Sequence, residues 1–412
     1  MNTERTTCLV AGGGPAGIVL GLLLARAGIE VTVLEKHGDF LRDFRGDTVH
    51  PSTLDLLDEL GLGEQFAKLP QRRLEQAQVP YANGTLKFAD FTELNGRHKH
   101  PYVALVPQWD LLDLLAGAAK NEPSFTLRMN TAATGLVVED GRITGVEYRT
   151  SEGTTGRIMA ELTVACDGRT SVLRKAAAMA VRDFPTPLDV WWFRLPREDT
   201  DPSGAVGVVS AARAAVLLDR GTYWQAATLI KKGSDPEQRR GSVRDMVASI
   251  AAVAPWLGDR VDALRSWDEV KLLDVRLDRL ERWYRDGLLC IGDAAHAMSP
   301  VGGVGINLAV QDAVATATLL AEPLRRGTLT RGDLAKVQRR RMLPTVVVQG
   351  MQRFLHARVL APALAGDIDM VNREKPPVPM RLVERFPKLR AIPALAIGYG
   401  VRPEHAPAFA RR

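Results

Sequence analysis

Only three cysteines occur in 412 residues, an odd and sparse set. That excludes a disulfide framework and makes a reducing cytoplasm the default compartment. No His/Cys/Asp/Glu group has zinc spacing, so no metal site is expected, and a G-x-S-x-G nucleophile elbow is missing too. Neither sign of charge dominates: 54 Lys+Arg against 48 Asp+Glu leaves +6, with the basic residues scattered. Such a mild excess suits anionic ligands such as phosphates and argues against a nucleic-acid partner. Hydrophobic residues make up 46% and charged residues 25%, the balance of a soluble globular chain rather than a disordered, collagen-like or coiled-coil one. Long apolar runs are also scarce. Thr6 to Ala25 carries no charge, but Gly12, Gly13, Gly14 and Pro15 interrupt it. Those residues would break a spanning helix, so no stable membrane insertion is expected.

What the chain does have begins in that same segment. Thr7 to Ala11 reads as a buried strand, Gly12 to Gly17 fits G-x-G-x-x-G, and Ile18 to Ala27 reads as an apolar helix closed by Gly28. Glu30 to Glu35 then alternates as a second strand ending in a carboxylate. The three glycines have separate tasks. Gly12 permits the tight turn, Gly14 lets a pyrophosphate approach the backbone, and Gly17 allows close helix–strand packing. The helix that starts at Pro15 offers free amides, from Ala16 onward, and a positive dipole end to phosphates. Glu35, with Lys36 beside it, would accept hydrogen bonds from ribose hydroxyls and repel a 2′-phosphate, which favours FAD or NAD over NADP at this site.

Two further segments repeat the pattern of a strand ending in an acid. Leu162 to Asp167 is an apolar run followed by Gly168, Arg169 and a helix start at Thr170 or Ser171. Leu288 to Asp293 is followed by Ser299-Pro-Val-Gly-Gly-Val-Gly-Ile-Asn307 and a helix over Leu308 to Ala321. The three cysteines, Cys8, Cys166 and Cys290, each fall in one of these predicted strands and read as buried, inert thiols. In order and type, the three motifs resemble the flavoprotein aromatic monooxygenases of the para-hydroxybenzoate hydroxylase type. The resemblance runs over about residues 5 to 325.

It implies roles residue by residue. Asp293 matches the aspartate that binds the ribityl and phosphate region of FAD. Pro300 and Gly303 match the run beside the isoalloxazine, and Gly305, Ile306 and Asn307 the backbone facing its pyrimidine edge. Asp167 and Arg169 match the Asp-Gly element linked to FAD and nicotinamide. Arg45 matches an arginine near the flavin and is the one candidate for a direct part in catalysis. Gln108, ahead of a predicted helix over Trp109 to Ala119, stands where that family often has arginine. His50 and His296 read as residues bonding their own loops or packing behind the flavin.

The fold class expected is α/β (α+β): a Rossmann-like FAD-binding domain with an inserted β-sheet substrate domain and C-terminal helices. The FAD-binding part would comprise residues 1–75, 105–180 and 276–330, the substrate sheet 76–104 and 181–275, and the helical region 331–412. Ala205 to Val209, Ala214 to Leu218 and Tyr223 to Ile230 read as strands of that sheet. Period-2 alternation puts Tyr223 and Gln225 on one face, as substrate candidates, and Trp224 on the other; which face meets substrate is left open.

The activity so implied is an FAD-dependent, NADPH- or NADH- and O2-consuming hydroxylation of an aromatic or polyketide-like small molecule through a flavin C4a-hydroperoxide. The chemistry is carried by the flavin, so no catalytic triad is expected. The chain would act as a monomer or homodimer. The alternatives are a reductase or dehydrogenase of the same fold and a non-catalytic flavin-binding protein. A halogenase is disfavoured because Val190-Trp-Trp-Phe-Arg-Leu-Pro196 lacks the glycine and spaced tryptophans of the halogenase motif.

Overall fold

In the computed structural model, residues 2–41, 48–81, 84–96, 98–202, 204–210, 213–252, 254–260, 262–368, 382 and 385–412 are described. An eight-stranded sheet holds the first motif. Its strands are β1 (Asn2–Ala11), β2 (Val31–Leu34), β8 (Phe125–Arg128), β9 (Thr131–Glu139), β10 (Arg142–Thr150), β11 (Thr155–Ala165), β19 (Tyr284–Arg285) and β20 (Leu288–Cys290). The order along the main path is β19-β20-β11-β1-β2-β8, with β10 on the first half of β11 and β9 on β10. Strands β20, β11, β1, β2 and β8 run parallel. β1 is twice as long as its apolar run suggests. Its polar start, Asn2 to Arg5, pairs with Gly156 to Met159 and has no hydrophobic signature of its own.

Helix α1 (Pro15–Arg26) packs beside α8 (Gly305–Arg325) and α4 (Gln108–Lys120) against this sheet. Together they bury one continuous core that includes Leu9, Val10, Leu20, Leu23, Val33, Val164, Leu289, Ala313 and Leu320. α8 starts three residues before the expected Leu308, because its first turn is the glycine-containing Gly305-Ile306-Asn307.

A seven-stranded sheet has the order β17-β13-β16-β15-β14-β5-β6. Its strands are β5 (Gln76–Tyr81), β6 (Gly84–Asp90), β13 (Leu188–Pro196), β14 (Ala205–Ser210), β15 (Arg213–Asp219), β16 (Tyr223–Lys231) and β17 (Lys271–Leu273). Among the described residues, its one parallel pairing is β14 with β5, through Val206 and Gln78. Two smaller sheets join the large ones. β3 (Thr48–Val49), β7 (Val103–Leu105) and β4 (Arg72–Leu74) form one, and β12 (Val181–Phe184) pairs with β18 (Leu277–Leu280) in the other. Of the remaining helices, α2 (Pro51–Glu59), α3 (Gly63–Ala67), α5 (Val172–Ala176), α6 (Asp235–Gln238) and α7 (Val243–Ala251) lie between strands. α9 (Arg331–Leu355), a π-turn over His356–Leu360, α10 (Ala361–Ala365) and α11 (Ala391–Gly398) follow α8. No helix among the described residues is long and apolar enough to cross a membrane.

Candidate active site

Strand register brings the three motifs together. Ala11 is opposite Ala165 on one side and Leu34 on the other, and Ala165 is opposite Cys290. The residues that follow each strand therefore emerge side by side at one edge: Gly12, Glu35, Cys166-Asp167 and Ile291 to Asp293. With β2 on one flank of β1 and β11 on the other, this edge is where an open α/β sheet forms its ligand crevice.

The glycines divide as their spacing suggests. Gly12 has φ +110°, and a Cβ there would collide with the Cys166 carbonyl. At Gly17 a Cβ would run into the Gly12 carbonyl oxygen. Gly14 differs: a Cβ built on it meets nothing within 4 Å. It is the N-cap of α1, without a side-chain cap, so the positive end of the helix faces open space. Pro15 is half-buried, while Ala16 and Gly17 are buried behind the turn.

The acids differ in what they already hold. Glu35 is buried, and its Oε2 accepts the Gly13 amide at 3.0 Å while Oε1 accepts the His37 amide at 3.0 Å. It shapes the glycine turn in addition to any ribose contact. Lys36 is exposed beside it. Asp167 caps α5 through Oδ2, which accepts the amides of Val172 (2.8 Å) and Leu173 (3.2 Å). Its Oδ1 is buried with no hydrogen-bond partner among the described residues. Burial raises this carboxyl above the usual range. Asp293 lies in a 3-10 turn (Gly292–Ala294), its side chain 37% exposed, with the Arg169 guanidinium 3.9 Å away. Ile291, not Asp293, takes the N-cap position of that turn.

Cys8 and Cys290 are buried, and burial pushes both thiols up. Cys166 lies one residue past β11 and is only partly covered; its thiol is raised as well, by burial and the neighbouring Asp167. All three are free.

The second glycine-rich run is held by His50 and by residues that the sequence did not mark. The Gly303 carbonyl accepts the Thr48 hydroxyl at 3.0 Å and the His50 Nε2–H at 2.9 Å. His50 therefore bonds across the fold rather than within its own loop, and burial pushes its pKa down to about 4. Asn307 turns its side chain inward: Oδ1 accepts Ser52 Oγ (2.7 Å) and Thr53 Oγ1 (2.9 Å), tying α2 to α8. This leaves the backbone of Gly305 to Asn307, the first turn of α8, as the part that can face a ligand. Pro300, Gly305 and Ile306 are partly exposed there. Behind the run, Gln352 Nε2 donates to the carbonyls of Ser299 and Val301, both at 2.9 Å, and Ser299 Oγ lies 2.8 Å from His356 Nε2.

His296 belongs to a buried charge network. Its Nε2 is 2.6 Å from Asp312 Oδ2, which also accepts the Gly292 amide at 3.1 Å. Arg341 Nε donates to Asp312 Oδ1 at 3.0 Å. Burial alone would raise Asp312, but His296 and Arg341 hold it below the usual carboxylate range. Gln108 is the first residue of α4 and is half-buried. Arg45 lies outside the described residues.

On the seven-stranded sheet, Trp224 is fully buried and donates its Nε1–H to Asp201 at 2.9 Å. Its face is filled by Val243, Val247 and Ile250 of α7 and by Leu257. The opposite face carries Tyr223, Gln225 and Ala227, with Arg194 and Trp192 as cross-strand neighbours. Arg194 sits 4.9 Å from the Tyr223 ring centroid, and Gln225 accepts from Arg220 at 2.9 Å.

An adenine dinucleotide fits this crevice. Gly14 leaves room for phosphate, α1 presents an uncapped positive end, Asp167 keeps an unmatched oxygen, and Asp293 stands half-exposed at the same edge. Comparison with known proteins agrees. The FAD binding domain family matches residues 5–349. The chain is 34% identical over 405 residues to 6-methylpretetramide 4-monooxygenase of Streptomyces rimosus, covering 96% of this chain and 93% of the relative. It is 26% identical over 353 residues to para-nitrophenol 4-monooxygenase of Pseudomonas sp. (strain WBC-3), covering 81% and 82%. Among solved structures, the anhydrotetracycline hydroxylase of Streptomyces rimosus superposes with a TM-score of 0.73 at 24% identity, over 98% of this chain and 77% of that one, and so shares the fold.

Proposed function

The chain belongs to the FAD binding domain family and is an FAD-dependent monooxygenase, and from that premise we propose that it hydroxylates a fused-ring, polyketide-like phenol at the expense of NADPH or NADH and O2. When bound, FAD would supply the redox and oxygen-activating chemistry. The protein's part is to bind, orient and exclude water. Gly14 and the start of α1 would take the pyrophosphate, Glu35 the adenosine ribose, and Asp293 the ribityl region, with Gln108 and Asp167 beside them. The first turn of α8 would direct its positive end toward the flavin pyrimidine edge and stabilise negative charge on the reduced ring. The observation that carries this reading is the register at Ala11, Ala165 and Cys290, which sets all three motifs at one sheet edge.

The substrate class rests on the relative named for a pretetramide and on the sheet. The Trp224 face is filled by α7, and the other face is covered around Ala227 by Leu360 and Leu364, so the reading puts substrate at the half-buried Tyr223 end of that second face. That end carries the partly exposed rings of Tyr223 and Trp192 with the exposed Arg194 guanidinium 4.9 Å from the Tyr223 centroid, groups suited to a planar polyphenol. In this reading residues 1–75, 105–180 and 276–330 carry FAD, residues 76–104 and 181–275 carry the substrate sheet, residues 331–412 close the back, and the enzyme works in the cytoplasm. The test is NAD(P)H oxidation in air with a panel of tri- and tetracyclic phenols. At least ~10-fold acceleration, about 1.4 kcal/mol off the barrier, with one oxygen atom added to the product, is the expected result. Acceleration without O2 uptake would instead make it a reductase.

A further inference from the structure

On one side of the β12–β18 pair, three arginines converge with no carboxylate among them in the described residues. Arg182 of β12 and Arg279 of β18 are direct cross-strand partners. Like charges placed opposite one another destabilise a strand pair. Arg353, near the end of α9, adds a third charge. All three guanidinium groups lie over the ring of Phe184, at 5.4, 5.5 and 4.8 Å from its centroid. The nearby acids on these strands are engaged or turned away. Asp278 is held by Arg174 at 3.1 Å, and Asp183, its cross-strand partner, alternates to the face away from Arg182. Arg279 donates to the neutral Gln349 Oε1 at 2.9 Å. Burial, and then the two neighbouring cations, hold its pKa below the usual arginine range.

These side chains, with Val346, Gln349 and Gly350, line a cavity of about 220 Å³. That is small against the ~300–1,000 Å³ that whole small-molecule ligands occupy, so it suits one end of a ligand rather than all of it. One or two phosphates fit. Planar guanidinium forks match phosphate oxygens in pairs, and a dianion would relieve the repulsion that folding leaves here. Phe184 shares its apolar cluster with Met298 and Val304, which bracket the run from Ser299 to Gly303. Gln349 ties the cavity wall to the residues just ahead of that run through the Asp278 and Ala297 carbonyls.

We propose that Arg182, Arg279 and Arg353 form a phosphate site that anchors a phosphate of the nicotinamide cosubstrate while its reducing end reaches the flavin. The proposal rests on the nicotinamide-donor reading above. The shared chemistry is a dianionic phosphate, from the dinucleotide or free in solution.

The experiment uses the FAD-loaded enzyme and the double variant Arg182→Ala/Arg353→Ala, both side chains being exposed. The expected result is a KM for NADPH raised at least ~10-fold, with FAD content and KM for the phenol within twofold. Inorganic pyrophosphate should bind the wild type by calorimetry, compete with NADPH, and lose both properties in the variant. An equal rise in KM for NADH assigns the site to the pyrophosphate, and a rise confined to NADPH assigns it to the 2′-phosphate; either supports the site. Melting temperature should hold or rise, because like charges are removed; a fall would make these arginines structural and overturn the proposal. An unchanged KM for NADPH with pyrophosphate binding abolished would make this a free-phosphate site and overturn the cosubstrate assignment. If the wild type oxidises neither nicotinamide with any acceptor, the donor reading fails, while pyrophosphate calorimetry still decides whether the arginines bind phosphate.

Discussion

Glu35 and Gly13 hold one another across the tops of the first two strands, the carboxylate Oε2 accepting the glycine amide at 3.0 Å. The acid that spacing assigns to a ribose is thus also a brace for the phosphate turn. A Cβ at Gly13 would fall 2.9 Å from the Glu35 Cβ, so the contact leaves no room for another residue.

Glu35→Ala should therefore weaken FAD binding by two routes, lost ribose contact and a loosened turn. Hydrogen bonds to a charged group contribute about 1.5–3 kcal/mol, equivalent to roughly a 10- to 150-fold rise in Kd. Glu35→Gln keeps one acceptor oxygen and should fall between the two. Titrating apoprotein with FAD by fluorescence checks this; wild-type affinity in Glu35→Ala would remove Glu35 from the site.

Asp293→Ala should fold normally and carry little flavin. Its side chain is 37% exposed and its ion pair with Arg169 is long, at 3.9 Å. Loose surface pairs contribute about 0–1 kcal/mol, so the apoprotein melting temperature should barely move. Flavin absorbance per protein chain gives the second measurement. A lowered melting point with full flavin content would make Asp293 structural.

The network behind the site should behave oppositely. Asp312 and Arg341 are both fully buried and paired at 3.0 Å. Asp312→Asn leaves the buried guanidinium with Glu404, 3.3 Å away, as its remaining carboxylate, and should cost up to about 3–5 kcal/mol, as broken buried pairs do. Removing both charges in Asp312→Asn/Arg341→Met should cost less than the single change. Urea denaturation of the three proteins tests this, and additive losses would show that the pair is not coupled.

His50 gives a pH dependence. Its folded pKa of about 4 lies below the ordinary 6.5, so the unfolded chain takes up the proton first as pH falls. Its contribution is fully present above about pH 6.5 and is lost as pH falls toward 4, the loss amounting to about 2–3 kcal/mol by pH 4.5. Unfolding free energies of wild type and His50→Gln should converge by that amount between pH 7 and 4.5. Parallel profiles would mean that His50 titrates normally in the folded protein.

The site was legible where its chemistry is local. Gly12, Gly14, Gly17 and the acids closing three strands announce themselves by spacing, because turn conformation and strand alternation are set within a few residues. His50 shows the limit. Beside Pro51 it reads as a loop residue, yet it bonds Gly303, 253 positions away. Thr48, Ser52 and Thr53 were unmarked for the same reason: a hydroxyl's partner is chosen by tertiary packing. The Asn307 side chain, on which the motif is silent, is turned into that packing, and only its backbone is left for the ligand edge.

The amino-acid order alone determined that β-α-β turns would present amides and carboxylates to a dinucleotide, since glycine stereochemistry and strand periodicity act over short range. Alternation likewise put Tyr223 and Gln225 opposite Trp224. What covers each face was decided only in the tertiary structure: α7, some twenty residues further along, buries Val247 and Ile250 against Trp224, and Leu360 and Leu364 cover Ala227 on the other side. The convergence of Arg182, Arg279 and Arg353 on Phe184 was decided there as well. Three residues from two strands and a helix share a cavity only after the strands pair and the helix docks, and no local pattern encodes a contact made by long-range packing.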